Sequence, residues 1–162
     1  MEPEIFEKLQ EILTGDFAIL GIGNAIRGDD GFGTLLAQRL SEKFRNTRLS
    51  TRIFIGGLAP ENMMGKIAKI NPEKLLILDA VVFGGKPGTT KIFSAEELSS
   101  PFMMTHGPTN FSMMKLFLPN TEISVLAVRP KSVKLKDEMS DEVKNSLEEI
   151  FKIIGEILLK VK

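Results

Sequence analysis

The sequence predicts an α/β protein: a three-layer sandwich in which a mostly parallel, twisted sheet of about five strands carries helices on both faces. Continuous apolar runs such as Phe17 to Ile22 and Leu75 to Leu78 suit strands buried on both sides. Amphipathic helical patterns alternate with those runs along the chain. The 162 residues fit one domain, 1–162, long enough to bury a core without disulfide or metal staples.

The elements follow in order. Ile5, Leu9, Ile12 and Leu13 fall at helical spacing, so Pro3 to Leu13 is an opening helix, broken by Thr14-Gly15-Asp16. The strand Phe17 to Ile22 runs into a glycine loop from Gly23 to Gly33, and Leu35, Leu36, Leu40 and Phe44 then mark an amphipathic helix. Arg52 to Ile55 reads as a second strand and Gly56-Gly57 as a turn. Pro60 to Ile70 reads as a helix ended by Asn71-Pro72. Leu75 to Val82 is a third buried strand and Thr89 to Phe93 a short extra one. Ser99 to Pro108 is a loop that holds the single histidine. Asn110 to Leu118 reads as a helix, Ile123 to Val128 as a strand stopped by Pro130, and Ser140 to Val161 as the last helix. Ser140 is its N-cap, Asp141 and Glu142 sit in its first turn, and Lys160 and Lys162 lie at its end.

Composition excludes several functions. The 21 Lys and Arg balance the 21 Asp and Glu without a long block of one sign, which argues against nucleic acid or an anionic membrane as partner. With no Cys there is no disulfide scaffold, iron-sulfur cluster or thiol nucleophile, and carboxylate, imidazole and hydroxyl chemistry remain. No apolar run approaches the ~18 residues of a membrane span, and Glu2, Glu4, Glu7 and Glu11 break any signal-like pattern at the start. A cytoplasmic protein is the expectation, and two Gln against fifteen Lys lean towards a thermophile.

The glycine loop fits neither common nucleotide motif. Ile26 stands where a dinucleotide fingerprint needs its third glycine, and Asp29-Asp30 stand where a phosphate loop needs Lys and Ser or Thr. Like charges ~4 Å apart cost ~4 kcal/mol at an effective dielectric of about 20, so the loop is suited to a cation. Asp79 ends the buried run Leu75 to Leu78, at the sheet edge where ligands collect, and an unpaired carboxylate there needs a cation, a donor or a proton. Asp30, Asp79 and His106 together make a candidate site for a divalent transition metal. The plainer alternatives are helix capping for Asp29 or Asp30, a backbone hydrogen bond for Asp79, and simple packing for His106. A Ser-His-Asp triad lacks its G-x-S-x-G elbow. The pairs Met63-Met64, Met103-Met104 and Met113-Met114 read as adaptable core packing rather than a pliable partner surface.

Taken together, Gly21-Ile22-Gly23-Asn24, Gly28-Asp29-Asp30-Gly31-Phe32-Gly33, Gly56-Gly57-Leu58-Ala59-Pro60-Glu61-Asn62, Leu76-Ile77-Leu78-Asp79-Ala80, Pro87-Gly88 and Met103-Met104-Thr105-His106 resemble the nickel-iron hydrogenase maturation endopeptidases. The pattern is most similar to the branch that processes hydrogenase 3 type large subunits. The resemblance implies an aspartyl-type endopeptidase with metal ligands at Asp30, Asp79 and His106. It implies removal of a C-terminal extension from the large-subunit precursor once nickel is in place. Nickel is then supplied by the substrate, zinc or cadmium can take its place in crystals, and nickel-insertion maturation proteins are further partners. A monomer is expected. Catalytic roles fall on Asp30 and Asp79, with Asp29 as a free carboxylate that accepts a proton or, equally, as a helix cap. Asn24, Gly56, Gly57 and Glu61 are expected to contact the substrate. Relatives often carry Asp where this chain has Ile55, and Gln where it has Arg129. The non-enzyme alternative is a nickel-binding accessory module that docks on the large subunit without cutting it.

Overall fold

The computed structural model describes residues 3–99 and 111–161, apart from the side chain of residue 112. Helix α1 (Pro3–Ile12) leads into β1 (Phe17–Ile22), a short 3-10 turn (Gly28–Gly31) and α2 (Phe32–Lys43). A second 3-10 turn (Arg48–Thr51) precedes β2 (Ile53–Gly57), followed by α3 (Glu61–Ile70) and β3 (Lys74–Ala80). Then come β4 (Thr90–Ser94), α4 (Ala95–Leu98), α5 (Phe111–Phe117), β5 (Glu122–Val128) and α6 (Asp141–Leu159).

The five strands form one sheet in the order β2-β1-β3-β5-β4, parallel throughout except for β4, which runs antiparallel along β5. Alternate residues of the central strands serve opposite faces, because successive strand side chains point to opposite sides. Ile19, Leu76, Leu78, Leu126 and Val128 pack under α1, α2 and α6. Ala18, Leu20, Leu75, Ile77, Val125 and Ala127 pack under α3, α4 and α5. Both faces are therefore apolar, which explains the unbroken apolar runs read from the sequence.

Two local features differ from expectation. Gly56 and Gly57 are the last residues of β2 rather than a turn, because a register shift between Gly21 and Ile22 lets Gly57 pair with Ile22. The strand ends there as Gly57 takes a φ of +55°, in the left-handed region. Helix α4 was not foreseen, although Ser94 and Glu97 form a full capping box: Ser94 Oγ accepts from the Glu97 amide and the Glu97 carboxylate accepts from the Ser94 amide. The expected caps of α3 and α6 are present. Asn71 ends α3 in the left-handed conformation at φ 44°, and Ser140 Oγ accepts from the Val143 amide at the start of α6. Of the methionine pairs, Met64 and Met114 are core residues and Met113 is exposed, while Met103-Met104 lie outside the described residues.

The strand order places a topological switch between β1 and β3. From β1 the chain crosses to β2 through α2 on one face, then crosses back to β3 through α3 on the other. In open α/β sheets the crevice beyond the carboxyl ends of such a strand pair is where ligands bind.

Candidate functional site

The loop after β1 folds back on itself at that crevice. Gly23 has a φ of +134°, and a Cβ on it would lie 1.9 Å from the backbone oxygen of Asp30, so only glycine fits. Its amide donates to the Gly57 carbonyl at 3.0 Å, tying the ends of β1 and β2 together. Its own carbonyl accepts from Thr34 Oγ1 at 2.7 Å. The side-chain oxygen of Asn24 accepts from the Ile26 amide at 3.1 Å, closing an Asx-type turn. The Asn24 amide in turn donates to Asp30 Oδ2 at 3.0 Å. The Asp30 carboxylate is thus seated back over the start of its own loop. It does not cap α2, whose N-cap position is Gly31 with no side-chain cap bond.

Asp79 reaches the same crevice from β3. It shares strand parity with Leu75 and Ile77, so its side chain points to the face covered by α3, α4 and α5. It is 3% exposed, and among the described residues its carboxylate accepts one hydrogen bond, from the Ala80 amide to Oδ1 at 2.8 Å. Burial pushes its pKa well above the usual carboxylate range, and the negative charge of Asp30 pushes it further; the Ala80 amide works against both. Two carboxylates that repel one another at a sheet edge favour a cation or a proton between them. Among the described residues no third His, Asp or Glu completes a metal cluster with them. His106 lies outside the described residues, in the stretch that joins α4 to α5, and those two helices pack on the face to which Asp79 points.

Asp29 is not the free carboxylate expected from the sequence, and it caps neither the 3-10 turn nor α2. It is fully buried and points away from Asp30's partners towards residues 131–140. Oδ2 accepts from the amides of Lys131 at 2.7 Å and Ser132 at 3.2 Å. Oδ1 accepts from the Ser140 amide at 2.7 Å, and the Ser140 hydroxyl lies 3.0 and 2.9 Å from Oδ1 and Oδ2. Sequence reasoning missed these partners, since backbone amides more than a hundred residues away leave no local pattern.

Asn24, Gly56 and Gly57 meet at one rim through the Gly23–Gly57 bond, and exposed Glu61 opens α3 just beyond it. Apolar side chains stand exposed on the same rim: Ile26 at 61%, Leu58 at 74% and Leu135 at 54%. Ile26 and Leu135 are drawn together because the Lys136 amide donates to the Ile26 carbonyl at 2.7 Å. Ile55 adds a further partly exposed apolar surface beside Gly56, and Arg129 Nε donates to the Phe83 carbonyl.

Comparison with known proteins supplies the context. A family model described as hydrogenase maturation protease matches residues 34–157. The hydrogenase 3 maturation protease of Escherichia coli K12 is 31% identical over 135 residues, covering 82% of this chain and 85% of that protein. The crystal structure of the nickel-iron hydrogenase maturation protease HycI from Thermococcus kodakarensis superposes with a TM-score of 0.80 at 31% identity, covering 94% of this chain and 99% of that one. The solution structure of the endopeptidase HycI from Escherichia coli gives a TM-score of 0.74 at 29% identity, covering 87% and 90%. By the family match and the fold alike, the chain belongs to the hydrogenase maturation proteases and is a peptidase.

Proposed function

We propose that the protein removes the C-terminal extension from the nickel-loaded large-subunit precursor of a nickel-iron hydrogenase. The observation that carries this reading is the like-charged pair Asp30 and Asp79, brought to one crevice by the 3-10 turn after β1 and by the end of β3. Such a pair calls for a cation, and one that arrives with the substrate couples cleavage to completed metal insertion. Asp30, Asp79 and His106 are the ligands in this reading. Two carboxylates and one imidazole leave coordination positions for the substrate's own groups, and they accept zinc or cadmium as readily as nickel. When present, the metal supplies Lewis acidity beside the scissile carbonyl.

Asn24, Gly56, Gly57 and Glu61 flank the crevice in this reading and guide the extended polypeptide, with the apolar rim of Ile26 and Leu58 beside them. Nickel-insertion proteins act beforehand, and the protein works as a cytoplasmic monomer. No helix among the described residues is long and apolar enough to cross a membrane.

The test is to mix the protein with nickel-loaded and nickel-free precursor and follow precursor size. The loaded form is expected to shorten and the nickel-free form to stay intact. Asp30→Ala, Asp79→Asn and His106→Ala should each abolish shortening while leaving the fold in place. Equal cleavage of both precursors removes nickel from the recognition, and stable binding without shortening favours the accessory-module alternative.

A further inference from the structure

We infer that Asp29 is a positioning residue that acts through its neighbour Asp30, holding the glycine loop in the conformation that aims the Asp30 carboxylate into the crevice with Asp79. The inference rests on reading Asp30 as a ligand, and its carrier is the contrast between two adjacent carboxylates. Asp29 is fully buried and saturated by four donor groups: the amides of Lys131, Ser132 and Ser140, and the Ser140 hydroxyl. Asp30 is partly exposed and accepts from the Asn24 amide alone among the described residues.

A carboxylate is held without water only when charge-assisted hydrogen bonds satisfy its oxygens, and such bonds fix its orientation closely. The backbone leading into Asp29 is pinned by the same segment. The Gly28 amide donates to the Asp137 carbonyl at 3.1 Å and the Asp29 amide to the Ser132 carbonyl at 2.9 Å. Gly28 itself has a φ of +55°, and a Cβ there would lie 2.7 Å from the Ser132 oxygen. The 3-10 turn from Gly28 to Gly31 is therefore anchored on residues 131–140, and the next side chain along it, Asp30, lies back over Asn24. Partners of this kind, one step behind a ligand, typically change metal affinity by about 10–100-fold when removed.

The experiment compares wild type, Asp29→Asn and Ser140→Ala by amide hydrogen exchange and by calorimetric titration with nickel chloride. In Asp29→Asn an amide group replaces one oxygen and faces donors, so the clasp opens. The Asn24 amide, whose acceptor is Asp30, is expected to lose protection by about tenfold or more, the scale of a hydrogen bond to a charged group. Nickel affinity is expected to fall by about 10–100-fold. The Ala80 amide, seated by Asp79, should keep its protection. A role confined to holding residues 131–140 would instead lower protection at Lys131, Ser132 and Ser140 and leave Asn24 and nickel affinity unchanged; that result overturns the inference. If Asp29→Asn fails to fold, Ser140→Ala decides: it keeps the carboxylate and removes one donor, and an unchanged Asn24 amide in that variant overturns the inference too. Wild type that binds no nickel while Asn24 still responds to Asp29→Asn would sink the ligand reading and leave the positioning role standing.

Discussion

Gly33 in the first turn of α2 rests against the carbonyl of Leu78 on β3: a Cβ at Gly33 would lie 1.9 Å from that oxygen and 2.4 Å from the carbonyl of Ile22. The helix that follows the Asp30 loop is thus seated directly on the strand residue before Asp79. Gly33→Ala is expected to lower stability by about 3 kcal/mol, because both obstructing atoms are backbone in central strands and cannot swing away. It should also impair processing, since α2 must lift from the switch point. Calorimetric melting checks the first part, and an unchanged melting temperature would mean that the helix can retreat freely.

Asp79 gives a stability prediction with a definite sign. Its folded pKa is raised, so at low pH both the folded and the unfolded chain hold the proton and the group contributes nothing. As pH rises through the ordinary carboxylate range of about 4, the unfolded chain releases its proton while the folded protein retains it, and stability falls until the raised folded value is passed. Asp79→Asn removes that penalty while its side-chain oxygen can still accept from the Ala80 amide. The variant should therefore match wild type in acid and exceed it at neutral pH, as measured by urea unfolding across pH. Parallel curves for the two proteins would contradict the assignment of the shift.

Nickel should act in the opposite direction on wild type. A cation bound to both carboxylates favours their charged forms, and a ligand that binds only the folded state stabilises it by mass action. Nickel is expected to raise the melting temperature of wild type and to have little effect on Asp79→Asn. The effect should weaken as pH falls, because protons compete with the metal for its proposed ligands Asp79 and His106. A shift independent of pH and surviving His106→Ala would remove that histidine from the ligand set.

The exposed rim can be tested separately from the acids. Leu58→Ser and Ile26→Ser should each stay within about 0.5 kcal/mol of wild-type stability, since both side chains are largely in solvent. If the rim receives the precursor, each should lower kcat/KM by about tenfold through KM, in line with an apolar side chain that is buried only on binding. Unchanged kinetics in both variants would leave the rim outside the substrate path.

Ser94 offers a purely structural control. Ser94→Ala removes one half of the capping box that starts α4 and should cost about 1 kcal/mol, read as a lower unfolding midpoint.

Much of the architecture was legible because it rests on local pattern. The apolar runs of β1 and β3, the left-handed stop at Asn71 and the cap at Ser140 all signal within a few residues, and their elements formed where read. Asp30 and Asp79 were legible for a related reason: a carboxylate after a buried strand has few places to go but the sheet edge. Asp29 was not. The same two letters, Asp29 and Asp30, have opposite fates, decided by whether amides from residues 131–140 reach the first of them. Gly56-Gly57 misled because a glycine pair signals a turn, whereas here pairing with β1 extended the strand through it.

The contact between Asp29 and Ser140 spans 111 residues and ties the start of the chain to its end. The donors lie between β5, which neighbours β3 in the sheet, and α6. Closing a loop of that length carries an entropic cost that the rest of the fold must meet. The first hundred residues already hold Asp30 and Asp79 but lack the donors that anchor the Gly28–Gly31 turn. The anchorage of the Gly28–Gly31 turn, near the start of the chain, therefore depends on residues close to its far end.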